Sequence, residues 1–507
     1  MRKRSKAWLA GAAAMALAAS LAGCGKAGGA NSNPSEAAGG ANKPQMDISV
    51  TTITFGGTPS NDLDGYKELN NKFNVKMNVN YIPANNINEK LNALLASKEL
   101  TDVMFVEYLE STPSYLNAVQ QGAFWDLTPY VKHYPNLSKY PESVWENLKV
   151  DGKIMSLPRV RPLDGHMAMS IRQDWLDKLG LQAPKTMDEL YNVMEAFTKK
   201  DPDGNGKADT YGLVFVGAPT GIMPMFGSGN NWAQDAAGNL IPDWWTPQFR
   251  DGLAFLNKAY QAGLLLPDFP VLKSTQLKEM LLQSKAGIAF NNIIDSYLYS
   301  LDLQKVVPQG KLTAYEVPAA ADGKSHYTQA PGYYGQLLIN KKVSEEKLKK
   351  ILEIYDYTAT KEGFNLIAYG IKDKDYKEAA DGFVTQTDEG KKLYDNSSSW
   401  LAGYFNKYAR AETSGIPADI RQYNYKLVDA ISQKSKPDPT IGLSPTAPYL
   451  EKGADWNKKK QDMMVNVIIG KNSLADWDQF VKSYQEDASF KKHVQDTNDG
   501  YKKKAKK

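Results

Sequence analysis

The sequence predicts an α/β fold spread over more than one domain. Three observations carry that expectation: strand and helix patterns alternate from residue 48 onward, the alternation returns past residue 186, and about 460 residues follow the N-terminal leader and its tether, enough for two or three domains. Ile48, Val50, Ile53 and Phe55 mark a first strand, and residues 63–73 read as a helix. Val75, Met77, Val79 and Tyr81 alternate with Lys76, Asn78 and Asn80, the period of a half-buried strand. A helix carrying Leu91, Leu94 and Leu95 follows, and residues 102–106 form a short, more deeply buried strand. Such β-α-β-α-β order implies a mainly parallel sheet covered by helices. Farther on, Thr186 and Glu189 form a capping box ahead of Leu190, Val193, Met194 and Phe197, which share one helical face. Residues 167–171 and 335–339 read as strands, and Ser344 caps a helix whose apolar face is Leu348, Ile351, Leu352 and Tyr355. The aromatic-rich stretches 230–245 and 396–408 look like surface loops or cleft walls rather than core.

The leader combines Arg2, Lys3, Arg4 and Lys6 with an apolar run from Ala7 to Ala22 that ends in Gly23-Cys24. A transmembrane helix needs about 20 apolar residues, so the run is read as an export signal, residues 1–23. Cys24 is the only cysteine and has no internal disulfide partner, and small residues before it resemble the lipobox of bacterial lipoproteins, in which this cysteine is acylated. Residues 24–46, rich in Gly, Ala, Asn, Ser and Pro, have almost nothing to bury and are expected to tether a folded body to the outer face of a Gram-positive-type cell membrane.

Composition supplies ample core: 42% hydrophobic and 11% aromatic, with 10 Trp and 28 Tyr. The net charge of +4 is partly spent in the leader and in the tail containing Lys502, Lys503, Lys504, Lys506 and Lys507, which reads as a frayed, solvated end. The folded body is close to neutral, which argues against nucleic acid as a partner, because phosphate binding needs a concentrated basic face. No GxxxxGK[ST] motif occurs, so the chain is no P-loop ATPase; there is no HExxH or GxSxG, and the four histidines are scattered.

One loop carries metal chemistry. Asp201, Asp203, Asn205 and Asp209 stand at positions 1, 3, 5 and 9, Gly206 at position 6, and Lys207 at position 7 offers its carbonyl. This is EF-hand spacing, in which oxygens on alternate residues converge when the chain wraps a hard cation such as calcium. Position 12 is Gly212 instead of the bidentate Glu, so further ligands must be water or other oxygens. A single loop after a long helix reads as a structural calcium site.

Several segments together resemble a family. Besides the lipobox they are residues 122–130 (GAFWDLTPY), 151–158 (DGKIMSLP), 171–181 (IRQDWLDKLGL), 184–190 (PKTMDEL) running into 201–206, and 345–352 (EEKLKKIL). In this order they are similar to the carbohydrate-binding lipoproteins of bacterial ABC importers, within extracellular solute-binding protein family 1, nearest to the alginate-oligosaccharide binders. The resemblance implies a two-lobed, periplasmic-binding-protein-like α/β fold with hinge-crossing strands and an inter-lobe cleft for an oligosaccharide, delivered to a membrane permease by a monomeric protein without catalysis. It places residues 47–163 with 312–372 in an N-terminal lobe and 164–311 with 373–507 in a C-terminal lobe, and assigns the calcium ligands to Asp201, Asp203, Asn205, the Lys207 carbonyl and Asp209. Thr210 stands where many relatives have a further acidic residue, and residues 369–373 (YGIKD) depart from the usual Gly-Ile-Glu-Gly.

Sugar binding calls for aromatic faces against C–H faces and planar polar groups for hydroxyls or carboxylates. Trp232, Tyr334, Trp400 and Tyr404, with Arg172 and Arg421, are the leading candidates; Trp244, Trp245, Tyr333, Tyr408 and Arg410 belong to the same supply, while Trp125 and Trp175 are expected in the core. The competing readings are an anchored, calcium-containing polysaccharide-degrading enzyme, which needs only two carboxylates ~5–10 Å apart, and an adhesive lipoprotein.

Overall fold

The computed structural model describes residues 44–109, 112–164 and 167–505. The export signal, Cys24, all but the last residues of the tether, and Lys506 and Lys507 lie outside the described residues.

Two sheets organise the chain. Their strands are β1 (Met46–Thr54), β2 (Val75–Pro83), β3 (Val103–Val106), β4 (Leu157–Val160), β5 (Met167–Arg172), β6 (Tyr211–Leu213), β7 (Ala286–Asn292), β8 (Leu312–Tyr315) and β9 (Tyr333–Ile339). The first sheet has the order β2-β1-β3-β9-β4 and the second β8-β5-β7-β6. Strands β1, β2 and β3 run parallel, joined by helices α1 (Asp64–Phe73) and α2 (Ile87–Ser97), as the alternating pattern requires. Strand β9 enters antiparallel between β3 and β4. In the alternating strand β2, Val75, Met77 and Val79 are buried and Lys76, Asn78 and Asn80 exposed.

Each sheet has its own apolar core. The first gathers residues from Ile48 to Val160 and from Tyr333 to Ala402, with helix α4 (Glu345–Thr358) burying Leu348, Ile351, Leu352 and Tyr355. The second gathers residues from Ala168 to Tyr327 and from Ala411 to Phe490, with helix α3 (Met187–Lys199) burying Leu190, Val193, Met194 and Phe197. Both helices start on the expected caps: Thr186 Oγ1 accepts from Glu189 N (3.2 Å) and Ser344 Oγ from Lys347 N (3.2 Å). Among the described residues, those between the two cores, the passages, are 161–164, 328–332 and 403–410.

Three expectations are corrected here. Residues 312–315, expected in the N-terminal lobe, are β8, paired with β5 in the second sheet. Tyr394, Trp400, Leu401 and Ala402, expected in the C-terminal lobe, belong to the first core, because the 397–403 segment is stitched to the first sheet: Thr52 Oγ1 donates to Ser399 O (2.9 Å) and Val160 N to Ala402 O (2.8 Å). The described part of the lysine-rich tail is helical to Ala505, with Lys504 Nζ donating to Ile441 O (2.6 Å) and Lys502 Nζ to Asn239 Oδ1 (2.9 Å), so these two lysines tie the last helix to distant segments instead of fraying.

Candidate functional site

In open α/β sheets, ligands gather outside the carboxyl ends of parallel strands. At that end of the first sheet β1 leads into Phe55, β3 into Glu107 and Tyr108, and β4 carries Arg159; the antiparallel β9 contributes its opposite end, Tyr333 and Tyr334. These side chains form an aromatic wall. The Tyr334 ring lies 5.9 Å from Phe55, 6.0 Å from Tyr108 and 6.3 Å from Phe105, and its hydroxyl donates to Glu107 Oε1 (2.5 Å). Phe55 is 60% exposed, unusual for a large apolar side chain at a strand end, and Asp395 and Asn396 sit beside the adjoining backbone.

The placement of Tyr334 has a local cause. Gly335 has φ +81°, and the pairing of β9 with β4 shifts register between Tyr333 and Gln336, a bulge that re-aims the neighbouring side chains. A Cβ on Gly335 would lie 2.1 Å from the Phe105 ring, so glycine is required by both backbone and space.

The guanidinium of Arg159 lies 5.7 Å from the Tyr334 ring centroid. Burial, reinforced by the charge of Arg410, pushes Arg159 down to about 10, and burial with the charges of Arg159 and Arg410 holds Arg161 well below the ordinary arginine value. Arg410 ends the 403–410 passage, its carbonyl accepting from Ile294 N (3.1 Å) of the second core. The wall thus meets positive charge from both cores where the three passages run. At the passage-side end of the second sheet, a cavity of about 60 Å³ opens among Met167, Phe290, Val317, His326 and Tyr327.

The remaining sequence-derived candidates fall elsewhere. Trp400 is fully buried in the first core, edge-on to Tyr66 and Tyr355, and its Nε1 donates to Tyr66 Oη (2.8 Å); the serine-rich approach that made it look like a loop aromatic is itself buried at Ser397 and Ser399. Arg172 is 1% exposed at the end of β5 away from the passages, held by Asp174 (2.8 and 2.6 Å) and Ser284 (2.9 Å) and stacked on Trp175. Arg421 donates to Asp381 Oδ2 (2.5 Å) and lies over Phe383, so it is an internal clamp. Trp232 packs edge-on to His493 in an aromatic cluster with Tyr449, Trp456 and Phe490, apart from Tyr334. Trp244, also read as a loop aromatic, is core, enclosed by Trp477, Phe480, Tyr484 and Phe490. Tyr404 stays exposed on the 403–410 passage. Sequence reasoning missed Phe55, Arg159 and Arg161; the available signal was two arginines spaced by one residue at a strand end, Arg159 and Arg161, between Pro158 and Pro162.

The acidic loop is wrapped as its spacing requires. The Asp201 carboxylate accepts from the N–H groups of Gly204 (3.0 Å), Asn205 (3.1 Å) and Gly206 (3.0 Å), and Asn205 Nδ2 bridges Asp203 Oδ2 (2.7 Å) and Asp209 Oδ1 (3.1 Å). Burial pulls Asp201 up, but the N–H groups and its bond with Asp203 outweigh it and hold that carboxyl low; burial and the neighbouring Asp201 and Asp209 raise Asp203. Three carboxylates, an amide oxygen and a carbonyl suit a hard cation. Asp209, however, is paired with Lys285 (2.5 Å), the Thr210 hydroxyl turns away to Phe197 O (2.7 Å), and among the described residues no three His, Cys, Asp or Glu are gathered closely enough to hold a metal.

Two sheets with separate cores, the first ending in a charged, aromatic edge, give an α/β architecture of the two-lobed type. The match to known proteins gives the family: residues 59–363 fit the model of the bacterial extracellular solute-binding proteins, and the chain belongs to that family. It is a binding protein and not an enzyme. Over 496 residues it is 29% identical to the polygalacturonan/rhamnogalacturonan-binding protein YtcQ of Bacillus subtilis, covering 96% of this chain and 97% of that one. Among solved structures, the alginate-binding protein AlgQ2 without calcium ion superposes with a TM-score of 0.71 at 19% identity, covering 90% of this chain and 98% of AlgQ2. The Streptococcus pneumoniae ABC-transporter substrate binding protein FusA in complex with kestose gives 0.70 at 18%, covering 91% and 100%. Among the described residues no helix is long and apolar enough to cross a membrane.

Proposed function

We propose that the chain is the extracellular, lipid-anchored substrate-binding component of an ABC importer, capturing an oligosaccharide between its lobes and passing it to a membrane permease. The observation that carries this reading is the wall of Phe55, Tyr108 and Tyr334 at the passage-side end of the first sheet, with Glu107, Asp395 and Asn396 alongside to bond hydroxyls. The ligands named for these similar proteins, polygalacturonan and rhamnogalacturonan, alginate, and kestose, are all saccharides. The lobes are taken to exchange near residues 161–164, 328–332 and 403–410, so that closure about these passages brings Tyr404 and Arg410 toward the wall. An oligosaccharide panel tests the function: at least one sugar raises the melting temperature and is recovered intact, whereas hydrolysed sugar would favour an enzyme and no shift with any sugar would remove the reading.

The anchor is assigned to Cys24 on the leader sequence. Cys24→Ser is expected to leave an unprocessed precursor or release the protein to the medium; a processed variant still fractionating with membranes would contradict it. The loop at Asp201, Asp203, Asn205, Lys207 and Asp209 is taken to hold one structural calcium once Lys285 releases Asp209. A ligand bound only by the folded state stabilises by RT ln(1 + [L]/Kd), so chelation lowers the melting temperature in a calcium-reversible way. An unchanged melt in excess chelator, with no metal by elemental analysis, would refute the site.

A further inference from the structure

The three arginines at the passages ask for an explanation that sugar hydroxyls alone do not give. Arg159 is 9% exposed and its Nε, buried, has no hydrogen-bond partner. Arg161 spends Nη1 on the carbonyl of Val160 (2.8 Å), and its backbone N–H donates to Gly332 O (2.8 Å) on the second passage, which fixes its place but not its charge. Among the described residues no carboxylate lies within ion-pair distance of Arg159, Arg161 or Arg410, although other arginines of the chain are paired: Arg172 with Asp174, Arg250 with Asp478 and Arg421 with Asp381. Glu107, an acid on the same edge, is engaged by the Tyr334 hydroxyl. A guanidinium keeps its proton inside a protein, so burial and mutual repulsion do not neutralise these groups but leave a concentrated positive potential that costs stability until an anion meets it. Guanidinium groups match carboxylates in a planar, two-point geometry. The aromatic wall beside them supplies faces for sugar rings.

We infer that Arg159, Arg161 and Arg410 form a carboxylate receptor, so that the oligosaccharides taken by this cleft are acidic ones whose chains contain uronate residues. The inference rests on the sugar-binding reading and adds its chemical class. Because Arg410 is attached to the second core and Arg159 and Arg161 to the first, a uronate carboxylate between them also draws the two lobes together.

The test is calorimetric titration of the full mature chain with a galacturonate trimer, with the same trimer fully methyl-esterified, and with a neutral trisaccharide. The acid is expected to bind about tenfold or more tightly than its ester, as charge-assisted bonds exceed neutral ones, with the preference shrinking as salt rises. Arg161→Gln and Arg410→Gln, at half-buried positions, are each expected to lose about tenfold in affinity for the acid while the ester changes by less than about threefold. Equal binding of acid and ester, or tighter binding of the neutral sugar, would overturn the inference and leave the sugar-binding reading standing. Failure of all three sugars would count against both. Should a glutamine variant melt early, the wild-type ratio of acid to ester still decides.

Discussion

Trp400→Ala is expected to destabilise the unliganded protein by roughly 3–5 kcal/mol, the usual cost of truncating a buried tryptophan. The indole fills the first core between Tyr66 and Tyr355, and its N–H satisfies Tyr66 Oη, which itself bonds Tyr81 Oη (2.5 Å) and the Ser397 carbonyl (2.8 Å). Alanine therefore leaves a cavity and also disturbs a buried hydroxyl network, which costs more than lost area alone. Denaturant unfolding checks the magnitude, and sugar titration of the remaining folded protein is expected to show little change. A loss below about 1 kcal/mol with affinity falling tenfold would mean that the indole faces the ligand, contrary to its complete burial.

Gly335→Ala is the second large effect, and it couples stability to binding. A non-glycine residue at φ +81° carries backbone strain of about 1–3 kcal/mol, and the new methyl must displace the Phe105 ring, which adds about 1–3 kcal/mol of overpacking. Phe105 contacts Tyr334, so the displacement propagates directly into the aromatic wall. The variant is expected to melt several degrees lower and to bind sugar more weakly. Wild-type affinity and stability together would show that the bulge does not set the position of Tyr334.

The elements legible in the sequence were those whose cause is local. Alternation in β2, the caps at Thr186 and Ser344, and the apolar faces of α3 and α4 each follow from residues within a turn or a strand of one another. Even there a detail escaped: Glu189 returns its bond to the N–H of Lys185 (2.6 Å), one residue before the cap. What was illegible depends on partners distant in sequence. Trp400 looked like a loop aromatic because its neighbours Tyr66 and Tyr355 are contributed by other elements, and Arg172 looked available because Ser284, which helps bury it, lies 112 residues away. Arg159 and Arg161 resemble the polar residues of an ordinary strand end until the fold brings Arg410 beside them. The family resemblance supplied the two-lobed architecture; the side chains at the end of the first sheet depend instead on the register of β9 and on the path of residues 397–410.

The most direct measurement of the central claim is a crystal structure of the mature chain with the oligosaccharide that shifts its melting temperature most. A sugar ring is expected against Phe55 or Tyr334, with its polar groups toward Glu107 and the arginines at 159, 161 and 410, and with residues 403–410 closed onto it. An oligosaccharide bound instead at the Trp232 and His493 cluster, with the end of the first sheet left open to solvent, would contradict the account.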